Sequence, residues 1–202
     1  MPPLPQLPSR EECLRLMRER QVMAHIIEHS VRVAEVALFL AQGLMRAGER
    51  CDLALLEAAS LLHDIAKLDS LKTRADHALA GQQLVVSLGY PPALGHLIRH
   101  HVRLPEGAMQ CQCECELLNY ADKRVNGSVI VTLTERFDYI RGRYGLSAEI
   151  VERITQLEER TRELERKIFA RLPFQPEGLA QALAESPPEP SASHRKVPVE
   201  DP

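Results

Sequence analysis

Apolar positions recur along most of this chain at spacings of three and four, the period of a helix packed on one face. A first helix is predicted from about Arg10, with Ser9 as its cap and Glu12 three residues on in a capping-box pattern. A second is predicted over 24–47, ending before Gly48, and a third over 52–66 with Asp52 as N-cap. A fourth covers 74–88, stopped by Gly89 and Pro91-Pro92, and a short one covers 92–101. Further helices are expected over 114–126, ending at Gly127, over 131–141 and over 147–171. The last carries acidic and basic residues at helical spacing, such as Glu158 with Arg162. No stretch reads as a strand, although Val129-Ile130-Val131-Thr132 is ambiguous. The expected class is all-α: one helical domain over 10–172, a tail over 1–9 and a Pro-rich, mostly disordered tail over 173–202.

Polar residues interrupt these apolar stripes in a regular way. His29 lies on the stripe formed by Ile26, Val33, Val36 and Leu40. His63 falls between Ala59 and Ala66 on the next helix, with Asp64 directly after it. His77 begins the row of Gly81, Leu84 and Leu88; His101 shares a face with Leu94, Leu97 and Ile98; Asp122 stands between Leu118 and Val125. A lone histidine on an apolar face is more often a hydrogen-bonded core residue than a ligand. Five helices that each turn an imidazole or carboxylate inward are a different matter. Unpaired, such groups would cost roughly 1–3 kcal/mol each. Neutral imidazoles and carboxylates are also the donors that divalent first-row metals accept, and the set contains no thiolate, which argues against a structural zinc.

Composition narrows the partners. A formal charge of −3 argues against a general nucleic-acid binder. With 45% hydrophobic residues but only 4% aromatic, the core must be built from Leu, Val, Ile and Ala. No run approaches the roughly 18 apolar residues of a membrane span, and the N-terminus lacks a signal-peptide pattern, so a cytoplasmic location without membrane association is expected. The five cysteines are expected to stay reduced. The Cys111-Gln-Cys113-Glu-Cys115 run reads first as loop thiols and second as a soft-metal or redox site.

The ordered set, with its flanks, resembles the HD superfamily of metal-dependent phosphohydrolases. The resemblance rests on His29-Ser30-Val31-Arg32-Val33-Ala34, on Leu62-His63-Asp64-Ile65-Ala66-Lys67, on His77 to Gly81, and on Tyr120-Ala121-Asp122-Lys123, and it spans about 20–140. Within the superfamily the chain is most similar to small stand-alone bacterial HD proteins of the HDIG type, with Ala66 where HDIGK has Gly. The resemblance implies a helical bundle with one or two divalent transition metals (Mn, Fe, Co, Ni or Zn) at its centre. His29, His63, Asp64 and Asp122 would hold one metal, and His77 and His101 a second, with Asp64 shared. Helical phase favours His101 over His100, which is kept as the substitute.

The implied activity is hydrolysis of a small phosphate ester, a nucleotide first among them, by metal-activated water. Asp64 and Lys67 would be catalytic, and Arg32, Lys67, Arg103 and Lys123, with Arg124 as a further candidate, would hold the substrate. His100-His101 is followed by Val102-Arg103-Leu104-Pro105 rather than the Gly-Tyr-Pro of the cyclic-dinucleotide phosphodiesterases, so that activity is not expected. Two alternatives share the scaffold: an HD-fold di-iron oxygenase and a non-catalytic HD signalling module. The stripe of Leu146, Ile150, Ile154, Leu157, Leu164 and Ile168 suits either docking on the domain or a homodimer.

Overall fold

The computed structural model describes residues 6–68, 70, 75–105 and 113–186, and among these the architecture is helical. Helix α1 spans Arg10–Glu19, α2 Ala24–Arg46, α3 Leu53–Leu62, α4 His77–Ser87 and α5 Pro92–His100. After them come α6, Cys113–Lys123, then two short strands, β1 Val125–Asn126 and β2 Val129–Ile130, and α7, Leu133–Tyr144. The chain closes with α8, Ala148–Phe169, a 3-10 turn at Pro176–Gly178 and α9, Leu179–Glu185. No helix among the described residues is long and apolar enough to cross a membrane.

Side chains set most helix starts. Ser9, Asp52, Asp76 and Ser147 each accept an N–H of the first turn, and Thr132 with Glu135 makes a full capping box. Pro92 opens α5 at a position where its missing N–H costs nothing. Helix α2 runs through the middle of the molecule and packs against α3 and α6, while α5 bridges α3 and α4. Its buried face, with Ile26, His29, Val33, Val36 and Leu40, carries the predicted stripe.

Four expectations are corrected. Helix α3 ends at Leu62 rather than 66; residues 63–66 form tight turns held by Ile65 N–H to Leu62 O and Lys67 N–H to Asp64 O. The ring of His63 takes the Ser60 carbonyl, which the helical ladder would otherwise use. The helix expected over 114–126 stops at Lys123, because Gly127 at φ +60° allows a two-residue turn that pairs Val125 with Ile130 and Asn126 with Val129. The fourth helix starts at His77, where Asp76 caps it.

The fourth correction concerns the tails. Leu7 packs on the core and Pro8 is buried, so residues 6–9 belong to the domain. Residues 173–186 do so as well, since Phe174 packs on Phe39 and Leu179 is fully buried. The remaining tail residues, 1–5 and 187–202, lie outside the described residues, as does Cys111. On α8, Ile154, Leu164 and Ile168 face the domain's own core, and Leu146 lies before the helix, exposed.

Leu179→Ala should therefore destabilise the protein by about 2–4 kcal/mol, the usual cost of emptying a buried leucine site. Urea unfolding measures it; a loss below 0.5 kcal/mol, roughly the scale of a surface substitution, would place α9 outside the cooperative unit.

Candidate metal centre

Three helices end at one point. His63 is the C-cap of α3, His101 is the C-cap of α5, and Asp122 is the penultimate residue of α6. The carbonyl ends of these helices carry partial negative charge, which favours a cation where they converge. His29, from the first turns of α2, and His77, the first residue of α4, complete the group.

Backbone carbonyls fix three of the imidazoles. His63 Nδ1 donates to Ser60 O at 2.7 Å, His101 Nδ1 to Ile98 O at 2.7 Å and His29 Nδ1 to Gly127 O at 2.9 Å. A carbonyl only accepts, so each Nδ1 carries a proton, and in the neutral ring Nε2 presents its lone pair inward. For His63 and His101 the acceptor lies three residues back, so the same bond satisfies a carbonyl of the helix's last turn.

Asp64 occupies the middle, only 2% exposed. Its Oδ2 lies 3.5 Å from His63 Nε2, and its Oδ1 lies 3.5 Å from His77 Nε2 and 3.8 Å from His101 Nε2. Asp122 Oδ1 is 3.1 Å from His29 Nε2 and 3.7 Å from His63 Nε2. Two ligand sets result: His29, His63 and Asp64, and Asp64, His77 and His101, each with its donor atoms within 4.8 Å of one another. Asp64 belongs to both. Two buried atoms at this centre, His63 Nε2 and Asp64 Oδ1, have no hydrogen-bond partner among the described residues. Such atoms cost about 1–3 kcal/mol each unless something else coordinates them. The donor set, its tautomers and these two atoms fit divalent metal ions.

The charges agree with that fit. Burial opposes ionisation of Asp64, but His63 and then Lys67 more than offset it and hold its carboxyl well below the usual range. Asp122 is likewise lowered against burial, by its contact with the His29 imidazole and by the charges of Lys123 and His63. Burial pushes His101 down to about 3 and also lowers His77, which keeps both rings neutral, as ligation requires. His63 is raised instead: burial works against its charge, yet Asp64 beside it prevails.

The remaining site residues separate into two groups. Lys67 reaches Asp64 Oδ2 at 2.5 Å with its side chain 39% exposed, between the centre and solvent. Arg103 lines, with His77, Ala78, Arg99, Val102 and Leu104, a cleft of about 580 Å³ that opens beside His77. His100 lines the same cleft but stands outside both ligand sets, its Nδ1 at 3.3 Å from Arg103 O and its ring against His96. Lys123 was expected to hold substrate, but it is 3% exposed and donates to His101 O at 2.7 Å. Its ammonium is turned inward to a helix end. Arg124 is 2% exposed and bound to Val131 O, Pro176 O and Glu165, so it too is unavailable. Arg32 bonds to Ser128 O at 3.1 Å and pairs with Glu35, steadying the turn whose Gly127 orients His29.

Sequence reasoning missed the partners around the ligands: Ser60 O, Ile98 O, Gly127 O, and Asn119, which donates to both His100 O and His101 O. The two carbonyls three residues before His63 and His101 were within reach, had the rings been read as helix caps.

Residues 26–140, more than half of the chain, match the family model for the HD domain. The chain belongs to the HD domain family. It is 22% identical over 148 residues to an uncharacterized protein of Methanocaldococcus jannaschii, covering 67% of this chain and 86% of that one. It is also similar to the crystal structure of a predicted HD superfamily hydrolase from an uncultured Thermotogales bacterium, at 22% identity and a TM-score of 0.44, covering 81% of this chain and 92% of the other.

His101→Ala should lower the metal content of protein reconstituted with manganese, whereas His100→Ala should leave it unchanged. Elemental analysis after gel filtration reads both; the opposite order would exchange their roles.

Proposed function

We propose that this protein is a metal-dependent phosphohydrolase acting on a small phosphate ester, a nucleotide being the leading candidate. The observation that carries the reading is the Asp64 carboxylate shared by two histidine sets, a donor arrangement suited to two neighbouring divalent ions. His29, His63, Asp64, His77 and His101 would hold such ions, which would supply Lewis-acid activation of water and charge neutralisation at the phosphoryl group.

The chain's own residues supply the rest. The carbonyl bonds of His29, His63 and His101 hold the inward nitrogens in place, so little reorganisation accompanies the reaction. Lys67 keeps its charge, because Asp64 raises its pKa against the opposing effect of burial. Its partly exposed ammonium can turn from Asp64 Oδ2 to a phosphate oxygen as negative charge builds there. Arg103, on the cleft beside His77, supplies a second cation for the part of the substrate that does not react.

The same His and Asp donors serve di-iron oxygen chemistry, so the test must separate the two. Protein purified without chelators is analysed for metals, then assayed on a panel of phosphomonoesters and phosphodiesters with manganese while oxygen uptake is recorded. Phosphate release that disappears in Asp64→Ala, with helical circular dichroism retained, is the expected result. Bound iron with oxygen uptake and no phosphate release would replace the proposal with the oxygenase. Lys67→Met should keep its metal yet lower kcat/KM by roughly 10²- to 10³-fold, the usual effect of removing a group aimed at developing charge.

A further inference from the structure

At the far ends of α3 and α6 from the histidines, two nucleophilic side chains meet that the proposed hydrolysis does not use. Cys51, just ahead of α3, and Cys113, the first residue of α6, bring their sulfurs to 2.6 Å across 62 positions of sequence. Both are partly exposed, whereas Cys13 and Cys115 are buried. The pair is held from both sides. Glu114 accepts the N–H of Asp52 at 2.5 Å, and Asp52 in turn caps α3 through the N–H of Leu55. A surface cleft lined by Gly48, Arg50, Asp52, Ala93 and Cys113 opens beside it, giving a small thiol reagent access.

We propose that Cys51 and Cys113 are a dithiol–disulfide redox pair, oxidised by low-molecular-weight disulfides, that reversibly staples the start of α3 to the start of α6. One of the two cysteine thiolates attacks one sulfur of the small disulfide, forming a mixed disulfide and releasing one small thiolate. The other cysteine thiolate, 2.6 Å away, then attacks that cysteine's sulfur, the intramolecular S–S bond forms, and the second small thiolate leaves. Two electrons pass from the cysteines to the reagent, and the two cysteine protons end on the two released thiols.

The staple ties a parallel pair of helices. Both begin at the cysteines and both end at the metal centre, about 15 Å away at 1.5 Å per residue. Oxidation therefore closes a long loop of the unfolded chain without touching a ligand.

The test uses the full-length, natively folded protein with oxidised glutathione, followed by thiol alkylation and peptide mapping without reduction. A peptide pair joined through Cys51 and Cys113 is expected, reversed by dithiothreitol. Oxidised protein should melt roughly 5–15 °C higher than reduced protein, as expected for a loop of this length in a chain of this size. Cys51→Ser and Cys113→Ser should each abolish the cross-link and the shift. Cys51 and Cys113 both alkylated after oxidation would overturn the proposal. So would a bridge from Cys113 to Cys111, a bridge formed only in denaturant, or zinc retained by the reduced pair that blocks oxidation. The mapping needs no turnover, so it stands or falls separately from the hydrolase reading.

Discussion

A single buried carboxylate sets the terms for this fold. Asp64 is almost wholly removed from water, and an isolated anion in such a place costs several kcal/mol. The structure meets part of that cost with the Lys67 ammonium and with His63, whose charged form Asp64 favours, and it brings His77 and His101 from the α4–α5 pair to the same carboxylate as donors for a cation. Helices α4 and α5 can approach closely enough because glycines stand at their contact. A Cβ at Gly81 would lie 2.9 Å from Ile98 Cγ2, and one at Gly95 would lie 3.1 Å from Gln82 and Val86. The packing of these two helices and the electrostatics of Asp64 are thus one constraint, since a wider separation would withdraw His77 from the carboxylate.

The imidazoles show how a helical scaffold makes a rigid donor set from ordinary parts. A histidine inside a helix has its neighbouring carbonyls engaged in the ladder. Placed one residue past the end, it faces carbonyls that have no partner. His63 and His101 both sit at that position, and each ring closes onto the carbonyl three residues back. One hydrogen bond caps the helix, sets the tautomer and aims Nε2. Asn119 and Lys123, reaching from α6 to the last carbonyls of α5, extend this to a third helix. The early stop of α3 at Leu62 is therefore part of the site rather than a fault in the helix.

What the sequence disclosed follows from what periodicity encodes. The side chains of His29, His63, His101 and Asp122 share faces with apolar neighbours, and helical phase also favours His101, which the structure groups with Asp64 and His77, over His100. Periodicity reports which face a side chain occupies but not where a helix stops, so α3 was read four residues too long. It also treats charge as exposure. Lys123 and Arg124 looked like substrate contacts because buried cations are uncommon; their burial depends on carbonyls of His101, Val131 and Pro176 that only the tertiary fold brings near. The short hairpin escaped for a related reason, since a two-residue strand leaves no period to detect.

The C-terminal region, which looked like an appendage, bears on the same centre through Arg124. This residue follows α6 directly, two positions after Asp122. Its guanidinium binds Glu165 of α8, the hydroxyl of Tyr120, the carbonyl of Val131 beyond the hairpin, and the carbonyl of Pro176 in the turn before α9. Tyr120 donates to the same Glu165 carboxylate at 2.5 Å. A buried guanidinium is tolerable only when its donors are satisfied together, so α8, the hairpin and the turn at 176 must all be in place at once. The hairpin presents Gly127 O to His29, and α6 presents Asp122 to the same ring. The described segments after residue 140 thereby fix, at second hand, the imidazole at the edge of the candidate metal centre, although none of them supplies one of its donors.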